Sequence, residues 1–585
     1  LPHLQELMAL PLSNRIAVFL LFLVTTGLLL YFLLAGIDRA VDPVTLLPVD
    51  TVVMVDLKQP VSHIHRLKKS RLGNRVSAIV QPEILREINL PDDDIGYFIN
   101  ISGKLKKMLN SPFFSELFSR RVVLGILPAR HTPASPGSGY AGLEQNLVLI
   151  ARPRHRAALV DVFADFYIEF EYASESYKGR EVKTFDYDRG TTFSATVIDG
   201  LVVAAFSDAV IKRCIDNAIR NRTTGGSGLQ DSGGYRQLKG RTLGRDDQFV
   251  YVNVPELRQM LAGIIIPRSP LLPIGYDDLH QAGGLEYMKR VALFRQSDKK
   301  IMQHWAIVQY NKEHPGLRNI PIHRHSPEHD TILGILPENN VIHLWVNVFD
   351  PGRLWDFFRE KDNAALRSVL RSLERLIAAR TGMTMEELLA CFGNKASINV
   401  AEMRSTGMFP MPRISVYLEV LDRERVGRAL AGIGDGLQVR KGMVAGKEVY
   451  SIILAGGIMQ PSYMFYDDYL VLADTRKQLE DLLSGRRNTL LKYPLFKKVD
   501  VGLTGSNNFV LYYRNAELID GLKELVRWYG SLLQLFDSSS EARNRVILEK
   551  MVLPVIDGLK MYKVKTARAY SLDGEMVLQM SQLVQ

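Results

Sequence analysis

His323 and His325, with His314 and His329 nearby, are the residues of this 585-residue chain whose type and spacing come closest to a metal site. An H-x-H pair on extended backbone sets two imidazoles on one side, and Glu328 and Asp330 stand where carboxylates could complete a shell. The same stretch, Asn311 to His329, is rich in Pro and His and lacks an apolar period, which is how a linker with solvated histidines reads. His63 and His65 repeat the spacing. Asp92, Asp93 and Asp94 could meet calcium, but three carboxylates after a proline more often open a helix or an exposed turn. The expectation is therefore no metal and no cofactor, with His323 and His325 as the candidates to watch.

Other chemistry fails on residue type or spacing. Gly442, Gly446 and Lys447 are wrongly spaced for a phosphate-binding loop, and Glu448 stands where a hydroxyl would hold magnesium. Gly432, Gly434 and Gly436 end a helical stretch instead of opening one after a strand, which excludes a dinucleotide fingerprint. No GxSxG elbow and no HExxH helix occurs. Two cysteines, Cys214 and Cys391, cannot build a Cys-only metal site and read as buried thiols, with at most one disulfide between them. Nothing fixes which of the 63 acidic residues meet in space, so no catalytic residue is assigned and the chain reads as a non-enzyme.

These residues must be placed by a chain that is 46% hydrophobic and 23% charged, the composition of a folded protein long enough for about three to five domains. From Ile16 to Ile37 run 22 residues without a charge, enough at ~1.5 Å per residue to span a ~30 Å hydrocarbon core. The expectation is an uncleaved, single-pass anchor in a bacterial inner membrane: residues 1–15 a short cytoplasmic tail, 16–37 the helix in the lipid bilayer, and the bulk periplasmic. The pI of about 9.3 raises anionic partners. Lys68, Lys69, Arg71, Arg75, Lys104, Lys106, Lys107, Arg120 and Arg121 lie in the membrane-proximal part, where lipid head groups are one partner they could face, while interleaved acids and the lack of an aromatic platform argue against nucleic acid. A solvated face is the default reading.

The rest of the chain repeats itself at domain length. Leu46 to Pro60 matches Ile335 to Pro351, each a Leu-Pro turn followed by an alternating strand. Asn146 to Phe166 matches Arg413 to Ile433, Tyr177 to Phe185 matches Val444 to Ile452, and Thr196 to Ile219 matches Met464 to Gly485. Tyr235 to Leu261 matches Phe496 to Leu522, and one closing strand ends each copy, Lys300 to Tyr310 and Met576 to Val584. The predicted fold class is α+β: after the anchor, two homologous halves with mostly antiparallel sheets and flanking helices, at 46–312 and 332–585, joined by a linker at 313–331. In the second copy Leu366, Val369, Leu370, Leu373, Leu376 and Ile377 form one apolar stripe, backed by Arg367, Arg371 and Arg375. Packing within the domain is the plain reading of that stripe, and a face offered to a partner subunit is the other.

The combination of an amino-terminal apolar run, repeated Leu-Pro openings and hairpin-plus-helix blocks resembles the bacterial envelope family catalogued as domain of unknown function 3352. The resemblance rests on Leu47, Pro48, Asp50 and Thr51, on the hairpin around Asp199 and Gly200, and on the blocks after Leu336 and Pro337. At Glu338, Asn339 and Asn340 the second copy departs from the pattern. The resemblance implies an envelope protein with no assigned activity and supplies no site. The functional expectation is a structural or accessory subunit of a membrane complex whose partners are other membrane or periplasmic proteins, with a homo-oligomer left open. Its alternatives are a carrier for lipid, peptide or another apolar ligand, and an enzyme of unrecognised type.

Overall fold

The computed structural model describes residues 41–79, 81–87, 91–128, 144–154, 172–188, 191–226, 228–261, 284–298, 300–360, 364–402, 412–457, 459–484, 489–536 and 545–584. By contact, the chain falls into two compact units, Leu1–His65 with Asn100–Ile265, and Arg66–Ile99 with Ile266–Gln585.

Among its described residues the first unit holds eight strands: β1 (Val53–Lys58), β2 (Arg121–Ile126), β3 (Leu147–Arg152), β4 (Tyr172–Tyr177), β5 (Arg180–Asp188), β6 (Thr191–Ile198), β7 (Leu201–Ala205) and β8 (Gln248–Asn253). All pair antiparallel, in the order β8-β1-β2-β3-β7-β6-β5-β4. The second unit holds the hairpin β9 (Met288–Asp298) and β10 (Ile301–Tyr310), then the two-residue β11 (Glu328–His329) and β12 (Ile342–Val346). It continues with β13 (Phe392–Glu402), β14 (Arg413–Val420), β15 (Gln438–Val444), β16 (Lys447–Ile453), β17 (Ser462–Tyr466) and β18 (Tyr469–Ala473). Last come β19 (Ser506–Asn507), β20 (Phe509–Arg514), β21 (Tyr562–Leu572) and β22 (Glu575–Val584). Its main sheet runs β20-β12-β13-β14-β18-β17-β16-β15, the order of the first unit again, and is extended beyond β20 by β21, β22, β10 and β9. The units are not the two sequence copies, because β9 and β10 close the first copy yet belong to the second unit.

Local chemistry explains why the matched blocks fold alike. In each copy the carbonyl before the Leu-Pro proline accepts a backbone N–H from a later leucine, Leu229 onto Leu47 at 2.8 Å and Leu490 onto Leu336 at 2.9 Å. Thr51 N and Asn340 N then close the same turn onto the carbonyls of Pro48 and Pro337, so the departure at Glu338 to Asn340 leaves the turn intact. The hairpins β4–β5 and β15–β16 turn on Lys178-Gly179 and Ala445-Gly446, both residues of each pair at positive φ, the geometry that two-residue hairpins require. Gly446 is thus a hairpin residue and no part of a phosphate loop. The closing strands meet each other: Ile301 faces Leu583 and Gln309 faces Glu575 in β10–β22, a register centred on Trp305 and Gln579. The hairpins β9–β10 and β21–β22 are therefore related by a local two-fold.

Among the described residues, eleven α-helices position the cores and the sites. They are α1 (Pro60–Lys69), α2 (Arg71–Ile79), α3 (Asp92–Asn110), α4 (Asp208–Thr224), α5 (Gly233–Gly240) and α6 (Pro351–Glu360), followed by α7 (Ala364–Thr381), α8 (Arg423–Gly434), α9 (Arg476–Ser484), α10 (Asn515–Phe536) and α11 (Leu553–Gly558). In the first unit α4 buries Val210, Ile211, Cys214 and Ile215 against the sheet. In the second, Leu479, Leu482 and Leu483 of α9 join Trp345, Tyr417, Val449, Met464, Val510 and Tyr512 in one core. The opposite face of that sheet packs Leu470 and Cys391 against Val426 of α8. Gly432 lets α8 meet the end of α7, since a Cβ there would lie 2.2 Å from the Arg380 carbonyl oxygen. The Gly432, Gly434 and Gly436 run thus ends a helix and packs it.

The predicted fold class requires one correction. No described helix is long and apolar enough to cross a membrane. The run 16–37 on which the single-pass anchor rested, and the tail 1–15, lie outside the described residues. The longest described helix, α10, has 22 residues but carries Glu517, Asp520, Lys523, Glu524 and Arg527, charges that hydrocarbon would not accept. What the structure shows is mostly antiparallel sheet with packed helices.

Candidate functional site

The four histidines of the 313–331 linker segment go to four different partners. His314 Nδ1 accepts from Gly316 N at 3.1 Å and caps a turn. His323, in the short helix Pro321–Arg324, lies edge-on to Tyr310 with centroids 4.6 Å apart. His325 Nδ1 faces Asn394 Nδ2 at 3.0 Å, and His329 Nδ1 faces the Thr504 carbonyl at 3.0 Å. Glu328 pairs with Lys395. His323 and His325 are not brought together, and no group of three or more His, Cys, Asp or Glu that could hold a metal occurs among the described residues. His63 and His65 sit on α1, where residues two apart point to different sides. Asp92, Asp93 and Asp94 open α3, where a helix N-terminus favours negative charge. Cys214 and Cys391 are free and buried, and burial pushes the Cys214 thiol up to about 12, so it is inert at neutral pH.

One acid of that segment takes part in an arrangement the sequence did not point to. Asp330 Oδ2 meets His343 Nε2 at 2.5 Å, while His343 Nδ1 faces Asn399 Oδ1 at 2.7 Å from the neighbouring strand. Asn399 Nδ2 donates to Ser397 Oγ, which leaves its oxygen for the imidazole. Both ring nitrogens thus face acceptor oxygens, Asp330 on one side and Asn399 on the other, so the imidazole ties the segment to the sheet. An acid, an imidazole and a hydroxyl in line suggest nucleophilic chemistry, but the His343 and Asp330 side chains are fully buried. With no access for a substrate, the triplet is a lock between the segment and the sheet.

A second buried network lies in the first unit. Arg121 holds Asp56 through Nε at 2.8 Å and Nη2 at 2.9 Å, and reaches Asp42 through Nη1 at 3.0 Å. Lys239 of α5 bridges Asp56 and Asp246, and Thr242 Oγ1 donates to Asp246. Burial alone would lower the Arg121 pKa, yet Asp56 and Asp42 together raise it; burial would raise that of Asp246, and Lys239 lowers it below the usual carboxylate range. Every charge here has a partner, which is the mark of a structural network. Counting from the first residue of each strand, Asp56 of β1 corresponds to Trp345 of β12, which is also fully buried.

Two cavities distinguish the copies. In the first, Arg213 of α4 donates to the Pro128 carbonyl and to Asp50, filling the space behind the Leu-Pro turn. Counting from the β6–β7 and β17–β18 turns, the second copy has Asp481 there. The shorter side chain leaves a cavity of about 280 Å³ lined by Asn339, Glu402, Arg413, Gln478 and Asp481. An apolar hollow of about 460 Å³ on the first unit's sheet is lined by Leu124, Leu147, Leu149, Phe193 and Phe206, all of the first copy.

The surface feature that stands out is α6 with α7. Of the six stripe residues on α7 only Ile377 is buried; Val369 is 63% exposed, Leu376 48% and Leu373 39%. Leu354, Phe357 and Phe358 of the adjacent α6 are exposed as well. Arg367, Arg371, Arg375 and Arg380 edge the stripe, against one acid, Glu374, on the same helix.

Two histidines of the second unit give it a pH dependence. Burial, then Arg295 and Lys565, hold His304 below its ordinary value, and burial does the same to His323. Between the unfolded value near ~6.5 and the lower folded values, the unfolded chain binds more protons, so stability falls as pH falls through that window. The unit is expected to melt at lower temperature at pH 5.5 than at pH 7.5, and His304→Gln with His323→Phe should shrink the difference. An equal pH effect in the double variant would assign it elsewhere.

No family model matches the chain, and no curated protein is similar to it. Among solved structures, crystal forms III, IV and I of TP0453 align with TM-scores of 0.24, 0.24 and 0.23 at 8%, 10% and 9% identity. They cover 47%, 46% and 47% of this chain and 82%, 81% and 82% of their own, a likeness too slight to carry an argument.

Proposed function

We propose that the protein is a non-catalytic accessory subunit of the bacterial envelope that docks another protein on the α6–α7 face. The observation that carries this reading is the exposed apolar stripe on α7 beside Leu354, Phe357 and Phe358. A contiguous apolar surface rimmed by charge is what soluble monomers avoid unless something covers it. Charge selects the occupant. Arg367, Arg371, Arg375 and Arg380 favour a partner helix with an acidic rim, and a second copy would bring the same arginines against them. The sequence resemblance to an envelope family supports the location.

Replacing Leu373 and Leu376 by Glu adds charge to positions already exposed, so the fold should keep its melting temperature while the complex loses its partner. A complex of unchanged mass in that variant would contradict the reading.

A further inference from the structure

Helices α2, α10 and α11, with Glu549 of the π-helical turn Ile547–Val552 that leads into α11, line an open recess of about 460 Å³ whose polar wall is Arg71, Arg75, Lys523, Arg527, Glu549 and Asp557. Its construction is specific. Arg71 and Arg75 lie four residues apart and share one face of α2. Gly558 lets that helix close on α11, since a Cβ there would sit 2.9 Å from Leu72 Cα. Both guanidiniums then converge on a single carboxylate: Arg71 Nη2 is 2.7 Å and Arg75 Nη2 3.2 Å from Asp557 Oδ2, while Lys523 Nζ takes Oδ1 at 3.0 Å. Although burial would raise its pKa, these donors hold Asp557 well below the usual carboxylate range.

The charges do not balance. The wall carries four cations and two acids, a surplus of two. Glu549 is already engaged by Arg545, and Arg527 has no ion-pair partner among the described residues. The planar guanidinium of arginine pairs carboxylate and phosphate oxygens bidentately, and a phosphate monoester carries about −1.5 to −2 near neutral pH, the size of the surplus. Leu553 and Pro554 supply an apolar edge beside the charges.

We propose that this recess binds a phosphate group, presented either by an anionic lipid headgroup or by a free phosphate compound. It is a ligand site, separate from the α6–α7 docking face. The test uses the full chain. Binding of inorganic phosphate is measured by calorimetry, and flotation with phosphatidic acid vesicles, whose headgroup is a phosphate monoester, is compared with phosphatidylcholine vesicles, for wild type and Arg75→Ala/Arg527→Ala. That variant leaves Arg71, Lys523 and Lys560 on Asp557, and its unchanged circular dichroism and melting will show that it folds. Wild type is expected to bind in a salt-sensitive way, and the variant at least tenfold more weakly. Flotation with phosphatidic acid alone, competed by phosphate, identifies a headgroup; phosphate binding without flotation identifies a free compound. Absence of both, or equal binding by wild type and variant, overturns the proposal.

Discussion

His343→Ala is expected to destabilise the second unit by roughly 2–6 kcal/mol, about 1–3 for each of the two buried acceptors it leaves without a donor. The size follows from what is left behind. Asp330 Oδ1 accepts the backbone N–H groups of Ile332 and Leu333, so the carboxylate cannot swing out to water when Oδ2 loses the imidazole. On the other side Asn399 Oδ1 is left without its donor. His343→Gln, which can still donate to one of the two acceptors, should recover part of the loss. Trp345, two residues along the same strand and fully buried, reports the transition by fluorescence. All four tryptophans of the chain lie in the second unit, so the signal reads that unit alone. An alanine variant that unfolds within about 0.5 kcal/mol of wild type, the range of ordinary surface substitutions, would show that the triplet is not a lock.

Asp56→Ala should cost the first unit a similar ~3–5 kcal/mol, for a related reason. The Asp56 carboxylate is fully buried and holds both Arg121 and Lys239. Each keeps one other acid, Asp42 and Asp246 respectively, but Arg121 loses the bidentate pair that fixes it beside β1. The second unit shows that the position tolerates an apolar group, since Trp345 occupies it there. Replacing Asp56 by Leu together with Arg121 by Met is therefore expected to recover more than half of the loss, whereas either change alone is not. With no tryptophan in this unit, the readout is hydrogen exchange of the β1, β2 and β8 amides. Equal exchange in Asp56→Ala and wild type would remove the network from the account of stability.

What could be read in advance was local. The turns after Leu-Pro, the hairpin at Asp199-Gly200 and the helices after β7 and β18 each depend on neighbours within a few residues, and composition and period reveal those. Partners far apart in sequence leave no such trace. Arg71 meets Asp557 across 486 positions and His343 meets Asp330 only because a segment read as a linker folds onto the sheet. That segment looked like a linker for its Pro and His content, yet Pro321 opens a helix and Ile320 is buried with Val308 and Tyr310. The α7 stripe teaches a related point. A period of 3.6 fixes which residues share a face and says nothing about what covers them, and here the face expected to pack inside the domain is largely open. For the same reason the apolar run at 16–37 could suggest a membrane span without deciding one.

The most direct test of the account is photo-crosslinking from position 373. The full chain, with a photoreactive residue replacing Leu373, is recovered from its own cells in mild detergent and the native mass of its complex is measured. The account predicts one stoichiometric protein partner, crosslinked through a helix whose flanking residues are acidic, and loss of both crosslink and added mass when Leu376 is changed to Glu. A chain that runs alone, or that crosslinks only to a second copy of itself or to lipid, would contradict it.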